Sequence, residues 1–222
     1  MTQSSGEWPI IARTETPRTR YSIAEDLRGL GLSPGDTVIV HSSLSSIGWV
    51  NGGTVAVVHA LTDVVADSGT IVMPTHTGAG DPAGWRNPPV PESWVETIRQ
   101  TVPPFDSRTT PTRNMGAIVE AFRTWPGSVR SHHPLTSFAA WGHGAKEVVE
   151  NQPLALSMGE GSPLAAVYNR GGKVLLLGVG YDRCTSLHLA EYRVTETPVG
   201  PTNIPVPAGD SVDWQQVDEI SF

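Results

Sequence analysis

The stretch from Thr37 to Met73 restricts the possible folds most, because it reads as strand, polar glycine-rich loop, helix and strand in direct succession. Thr37-Val38-Ile39-Val40-His41 is short and β-branched, the signature of a buried strand. The Ser- and Gly-rich run Ser42 to Gly53 follows. Val57, Val58, Leu61 and Val65 then share one stripe of a helix expected from Thr54 to about Val65. Asp67-Ser68-Gly69 turns the chain into a second strand, Thr70-Ile71-Val72-Met73, which Pro74 is expected to stop. This alternation predicts an α/β fold, a central mixed sheet flanked by helices.

Other segments extend the pattern. Ser22 and Glu25 have capping-box spacing before an apolar stripe of Leu27 and Leu30, and Gly31 is placed to end that first helix. Further helices are expected at Met115–Arg123, Ala145–Glu150 and Pro163–Tyr168, with a strand at Lys173–Leu177. From about 75 to 113 the texture changes: prolines are dense, and Trp85 and Trp94 interrupt polar sequence. This Pro-rich stretch reads as an insertion or lid on a single domain spanning 1–222, with one helix from Pro91, at the first helical position, to about Gln100.

Composition excludes several classes. The apolar fraction is 38 % and glycine adds 23 residues, enough for a packed core. No apolar run approaches the ~20 residues of a membrane span. The first twenty residues lack the pattern of a secretory signal, so a cytoplasmic location is expected. A single cysteine, Cys184, leaves no internal disulfide and no Cys-rich zinc site. The formal charge of −7 with only 15 Lys and Arg spread along the chain argues against a nucleic-acid partner and accommodates a cationic one.

Two segments carry candidate chemistry. His41 to Gly53 places hydroxyls and glycine-exposed amides where a buried strand meets a helix, a setting suited to an anion such as a pyrophosphate. Its alternative is a plain turn opened by Ser42 and Ser43. It is neither a Walker loop nor a dinucleotide fingerprint. In the second segment, His188 and Glu191 stand three apart on one helix face and Asp182 lies just upstream, so His188 is a candidate base held between carboxylates; a capping or packing histidine is the alternative. His132 and His133 point opposite ways in an extended segment before Pro134, so no metal site is expected there. No Gly-x-Ser-x-Gly elbow is present.

The motifs His41-Ser42-Ser43-Leu44-Ser45-Ser46-Ile47-Gly48, Met73-Pro74-Thr75-His76-Thr77, Arg130-Ser131-His132-His133-Pro134, Glu160-Gly161-Ser162-Pro163-Leu164, and Leu176-Leu177-Gly178-Val179-Gly180 running into Thr185 to Tyr192 resemble the aminoglycoside 3-N-acetyltransferase family from about Ser22 onward. The resemblance implies an α/β fold, acetyl-CoA as donor without a metal, and transfer to the 3-amino group of a 2-deoxystreptamine ring. It implies that His41, Ser42, Ser43, Leu44 and Gly48 hold the coenzyme A, that Met73, Pro74 and Thr75 line the same groove, and that Arg108, Thr109 and Thr110 face the cofactor. His188 becomes the base, with Glu191 and Asp182 beside it and Thr185 a candidate for the oxyanion. Asp81, Trp85, Glu92, Tyr192, Asp218 and Glu219 become acceptor contacts. Family members continue beyond the segment resembling Trp214 to Ile220 into a final helical part, so the resemblance implies that this part is missing from a chain ending at Phe222. A coenzyme A-binding protein with reduced or no turnover, or an acetyltransferase acting on a different amine, are the alternative functions, in a monomer or homodimer.

Overall fold

The computed structural model describes residues 6–86 and 88–220. The first five residues, which belong to the stretch read for a signal, and the terminal Phe222 lie outside that range. A mixed five-stranded sheet organises the chain. β1 (Thr37–Ser42) lies at its parallel centre, between β2 (Thr70–Pro74) and β5 (Lys173–Leu177); beyond β2 come β4 (Phe138–Gly142) and β3 (Val129–Arg130), both paired antiparallel.

Alternation along the strands divides the core. Val38, Val40, Ile71, Met73 and Ala139 face α2 (Arg20–Gly29), α3 (Gly53–Val65) and α5 (Ala117–Arg123). Ile39, Val72, Phe138 and Ala140 face α6 (Ala145–Val149), α7 (Pro163–Asn169) and Leu189 of α8 (His188–Arg193). With both faces covered, the central strands need apolar residues at consecutive positions, which is why Val38-Ile39-Val40 does not alternate with polar residues. Among the described residues no helix is long and apolar enough to cross a membrane.

Local expectations shift by small amounts for identifiable reasons. The cap of α2 is Thr19, whose hydroxyl accepts from Ser22 N while Ser22 Oγ accepts from Thr19 N; Ser22 is thus the third helical residue rather than the cap. Pro91 precedes α4 (Glu92–Thr101) as its N-cap rather than occupying its first turn. Pro74 ends β2 from inside it, opposite Phe138.

A long hairpin, β6 (Val199–Ala208) and β7 (Ser211–Ile220), escaped the sequence reading because Pro201, Pro205 and Pro207 argue against a strand. All three share one parity. In a ladder closed by the two-residue turn Gly209-Asp210, that parity faces away from the partner strand, so no ladder hydrogen bond is lost. Gly209 has φ +65, as the first central position of a type II′ turn demands.

The Pro-rich stretch is tied at its base by one buried cation. Arg130 donates to Thr75 O (2.6 Å), Thr75 Oγ1 (3.1 Å), Ser137 Oγ (3.0 Å) and Thr110 O (2.6 Å), joining the two ends of the stretch. Burial lowers its guanidinium to about 10. Further out, Asp81 accepts from Arg99 and Asn203, and Trp214 Nε1 donates to Arg99 O, which fastens α4 to the hairpin.

Candidate active site

The helix that follows β1 covers one face of the sheet and the helix that follows β5 covers the other. Adjacent parallel strands whose connections part in this way leave a crevice at their carboxyl ends. Here the crevice is a cleft of about 1040 Å³, with residues 41–46 at the carboxyl end of β1 on one wall and residues 178–185, Leu187 and His188 after β5 on the other. Gly178 lets the walls meet: its φ is +73, and a Cβ there would lie 2.9 Å from Ile47 Cγ2 and 3.0 Å from Ser43 O.

On the β1 wall, Ser42 Oγ is buried and has no hydrogen-bond partner among the described residues. Ser43 Oγ lies 2.9 Å from Ser46 Oγ. Gly48 (φ +94) and Gly52 (φ +83) turn the chain into α3, so hydroxyls and backbone of this loop border the cleft. On the other wall a short 3-10 turn, Thr185–Leu187, delivers His188 as the first residue of α8. His188 Nδ1 lies 2.6 Å from Glu191 Oε2. Because a carboxylate only accepts, Nδ1 is the proton-bearing nitrogen of this contact, and in the neutral ring the lone pair belongs to Nε2.

Two further imidazoles stand near His188. His41 is 5 % exposed, with Nε2 3.0 Å from Ser186 Oγ, and burial together with the nearby His188 pushes it down to about 4. His76, just past β2, forms a T-shaped pair with Phe138, ring centroids 5.4 Å apart; burial, then His188, push it down to about 3. Its Nε2 is buried with no hydrogen-bond partner among the described residues. At neutral pH these two are uncharged neighbours of the half-exposed dyad.

Of the expected residues, the cleft gathers His41, Ser42, Ser43, Leu44, Gly48, Pro74, Asp182, Thr185, His188 and Glu191. Others lie elsewhere. Met73 is wholly buried in the core and Thr75 is taken up by Arg130 and Ser137. Thr109 and the backbone of Arg108 bond to Asp106, and Thr110 O serves Arg130, so this trio belongs to the base of the Pro-rich stretch. Asp182, expected beside His188, has its carboxylate 3.2 Å from Arg183.

The expected acceptor contacts are dispersed as well. Asp81 is held by Arg99; Trp85 donates to Gly80 O under Arg113; Glu92 is exposed at the start of α4; Asp218 is exposed, its carbonyl accepting from Leu156. Tyr192 donates to Glu219, which is only 7 % exposed. Sequence reasoning missed Gly178, Cys184 and residues 114–117, all on the cleft, and also α1 (Trp8–Ala12), which with Glu7 borders it through Ile10. The glycine ending β5 was a readable signal; the α1 contact, made by tertiary packing alone, was not.

Residues 39–222 match the family model for aminoglycoside 3-N-acetyltransferase. The chain is 49 % identical over 215 residues to the SPbeta prophage-derived aminoglycoside N(3')-acetyltransferase-like protein YokD of Bacillus subtilis (strain 168), covering 96 % of this chain and 79 % of that one. The crystal structure of YokD superposes with a TM-score of 0.93 at 48 % identity, covering 97 % of this chain and 80 % of that one. Aminoglycoside N(3)-acetyltransferase IX of Micromonospora chalcea is 38 % identical over 83 % of this chain, which spans 66 % of that protein's length. AAC-IIIb, solved as a binary complex with CoASH, has a TM-score of 0.80 at 33 % identity, over 93 % of this chain and 77 % of its own.

Proposed function

The chain belongs to the aminoglycoside 3-N-acetyltransferase family, and we propose that it transfers the acetyl group of acetyl-CoA directly to an amine, the 3-amino group of a 2-deoxystreptamine aminoglycoside, with His188 as general base. The observation that carries this reading is the 2.6 Å contact of His188 Nδ1 with Glu191 Oε2 on the wall of the cleft. It assigns the lone pair of the neutral ring to Nε2, and only an unprotonated amine attacks a thioester carbonyl.

The cleft fits the donor. Its volume admits an extended molecule, the hydroxyls of Ser42, Ser43 and Ser46 with the glycine-rich backbone suit phosphate and amide groups, and the N-terminus of α3 borders it. Acetyl-CoA would supply the activated thioester. His188 Nε2 would receive the proton as the new C–N bond forms, and Glu191 would hold the resulting imidazolium. The Thr185 hydroxyl is a candidate donor to the tetrahedral oxyanion. As the C–S bond breaks, the proton on His188 is available to the departing thiolate.

Release of free thiol from acetyl-CoA in the presence of gentamicin tests the function. His188→Ala should remove about 10²- to 10⁴-fold of the rate while leaving coenzyme A binding unchanged. A variant turning over at full rate would remove His188 from the mechanism.

One observation favours a different amine. The described carboxylates on the cleft are Glu7, Asp182 and Glu191, whereas Asp81 and Glu219 are engaged within the protein. A less cationic acceptor is served better by so few charges, and an acceptor panel in the same assay separates the two.

A further inference from the structure

α8 has six residues and carries both members of the dyad, so its position depends on outside anchors; a helix this short has almost no stability of its own. Before its first turn, His41 Nε2 meets Ser186 Oγ at 3.0 Å. Near its end, Tyr192 donates its phenol to Glu219 Oε1 at the end of β7. The same carboxylate accepts from Ser157 N at Oε2 (3.1 Å) and from Ile220 N at Oε1 (3.2 Å), and Leu156 N donates to Asp218 O at 2.9 Å. The Tyr192 ring also lies against Gly159, where a Cβ would come within 3.0 Å of Cδ1. One buried carboxylate therefore joins the hairpin, the segment 156–159 and α8.

The geometry points to Glu219 as a positioning residue for the His188–Glu191 dyad, acting through Tyr192 rather than touching substrate. This rests on His188 being the base. Tyr192 lies one turn beyond His188 and directly after Glu191, so fixing its phenol fixes the rotation of the helix that sets the 2.6 Å dyad contact. A glutamine at 219 cannot serve all three donors: whichever way its amide turns, an N–H faces another donor.

The test measures E219Q, Y192F and the double variant alongside the wild type. Thiol release should show kcat lowered about ten- to a hundred-fold with little change in KM, the scale of a misplaced catalytic group, and calorimetry should show unchanged coenzyme A affinity. The double variant should lose no more than the worse single one, because both act along one path. Full kcat in folded E219Q, additive losses, or a raised acceptor KM at unchanged kcat would overturn the assignment, the last by making Glu219 an acceptor contact. A second readout needs no turnover: the His188 ring resonances, assigned by their loss in His188→Ala, should shift in E219Q and Y192F, and unchanged resonances overturn the assignment. A wild type that releases no thiol over the acceptor panel would instead defeat the function proposed above, and the resonances would still decide Glu219.

Discussion

Glu191 lends His188 both a tautomer and a countercharge, and Glu191→Gln separates the two. The amide oxygen can still accept from Nδ1, so the ring stays oriented, but the imidazolium formed during transfer loses its charged partner. Thiol release by E191Q should therefore fall about tenfold or more, while coenzyme A binding stays as it was. His41 and His76 make a different prediction. Burial, with His188 next, holds them at about 4 and about 3, whereas the unfolded chain protonates near 6.5. Between those limits the unfolded state binds more protons, so stability is complete above about pH 6.5 and is lost as pH falls, by up to ~1.4 kcal/mol per unit for each histidine. Urea titrations from pH 7 to pH 4.5 should show this slope, and His76→Phe, with its ring kept beside Phe138, should flatten it. The His188–Glu191 contact was legible in sequence because helical spacing dictates it. The convergence of His41 and His76 on His188 was not, since neighbouring strands and a helix more than a hundred residues away bring them together.

Among the elements, those formed by local rules were readable within a residue or two, and β6–β7 shows where such rules fail. Its prolines count against a strand until the ladder's parity is known, and parity depends on a pairing between segments. The Pro-rich stretch illustrates the same limit, because its order comes from Arg130 rather than from its own composition. Arg130→Met should leave Thr110 O without that donor and Thr75 O with Ser137 Oγ alone, at about 1–3 kcal/mol for a group left unpaired. Limited proteolysis should then cut within 76–109 before the sheet is attacked; equal protection in the variant would remove Arg130 from this role. At α2, Thr19→Ala deletes the observed cap and should cost about 1 kcal/mol in thermal or urea unfolding, which also distinguishes Thr19 from the Ser22 read in the sequence.

At the scale of the whole molecule, the cleft exists because the helices after β1 and β5 leave on opposite faces, and Gly178 allows its two walls to touch. Gly178→Ala places a methyl group into Ile47 and Ser43 O at a positive φ, so it should spread the walls, weaken coenzyme A binding measured by calorimetry, and lower the melting temperature. The sequence alone determined the layers, since β-branched runs and apolar stripes must be buried whatever their partners. It also determined the His188–Glu191 pairing and the polar loop after β1, because i, i+3 spacing and a strand-to-helix turn are local geometry. Only the tertiary structure decided which polar residues face the cleft. Met73, Thr75, Asp81 and Glu219 have the chemistry of ligand contacts, yet each is consumed by the core, by Arg130, by Arg99 or by Tyr192. A side chain's availability depends on what packs against it, and those partners come from distant parts of the chain.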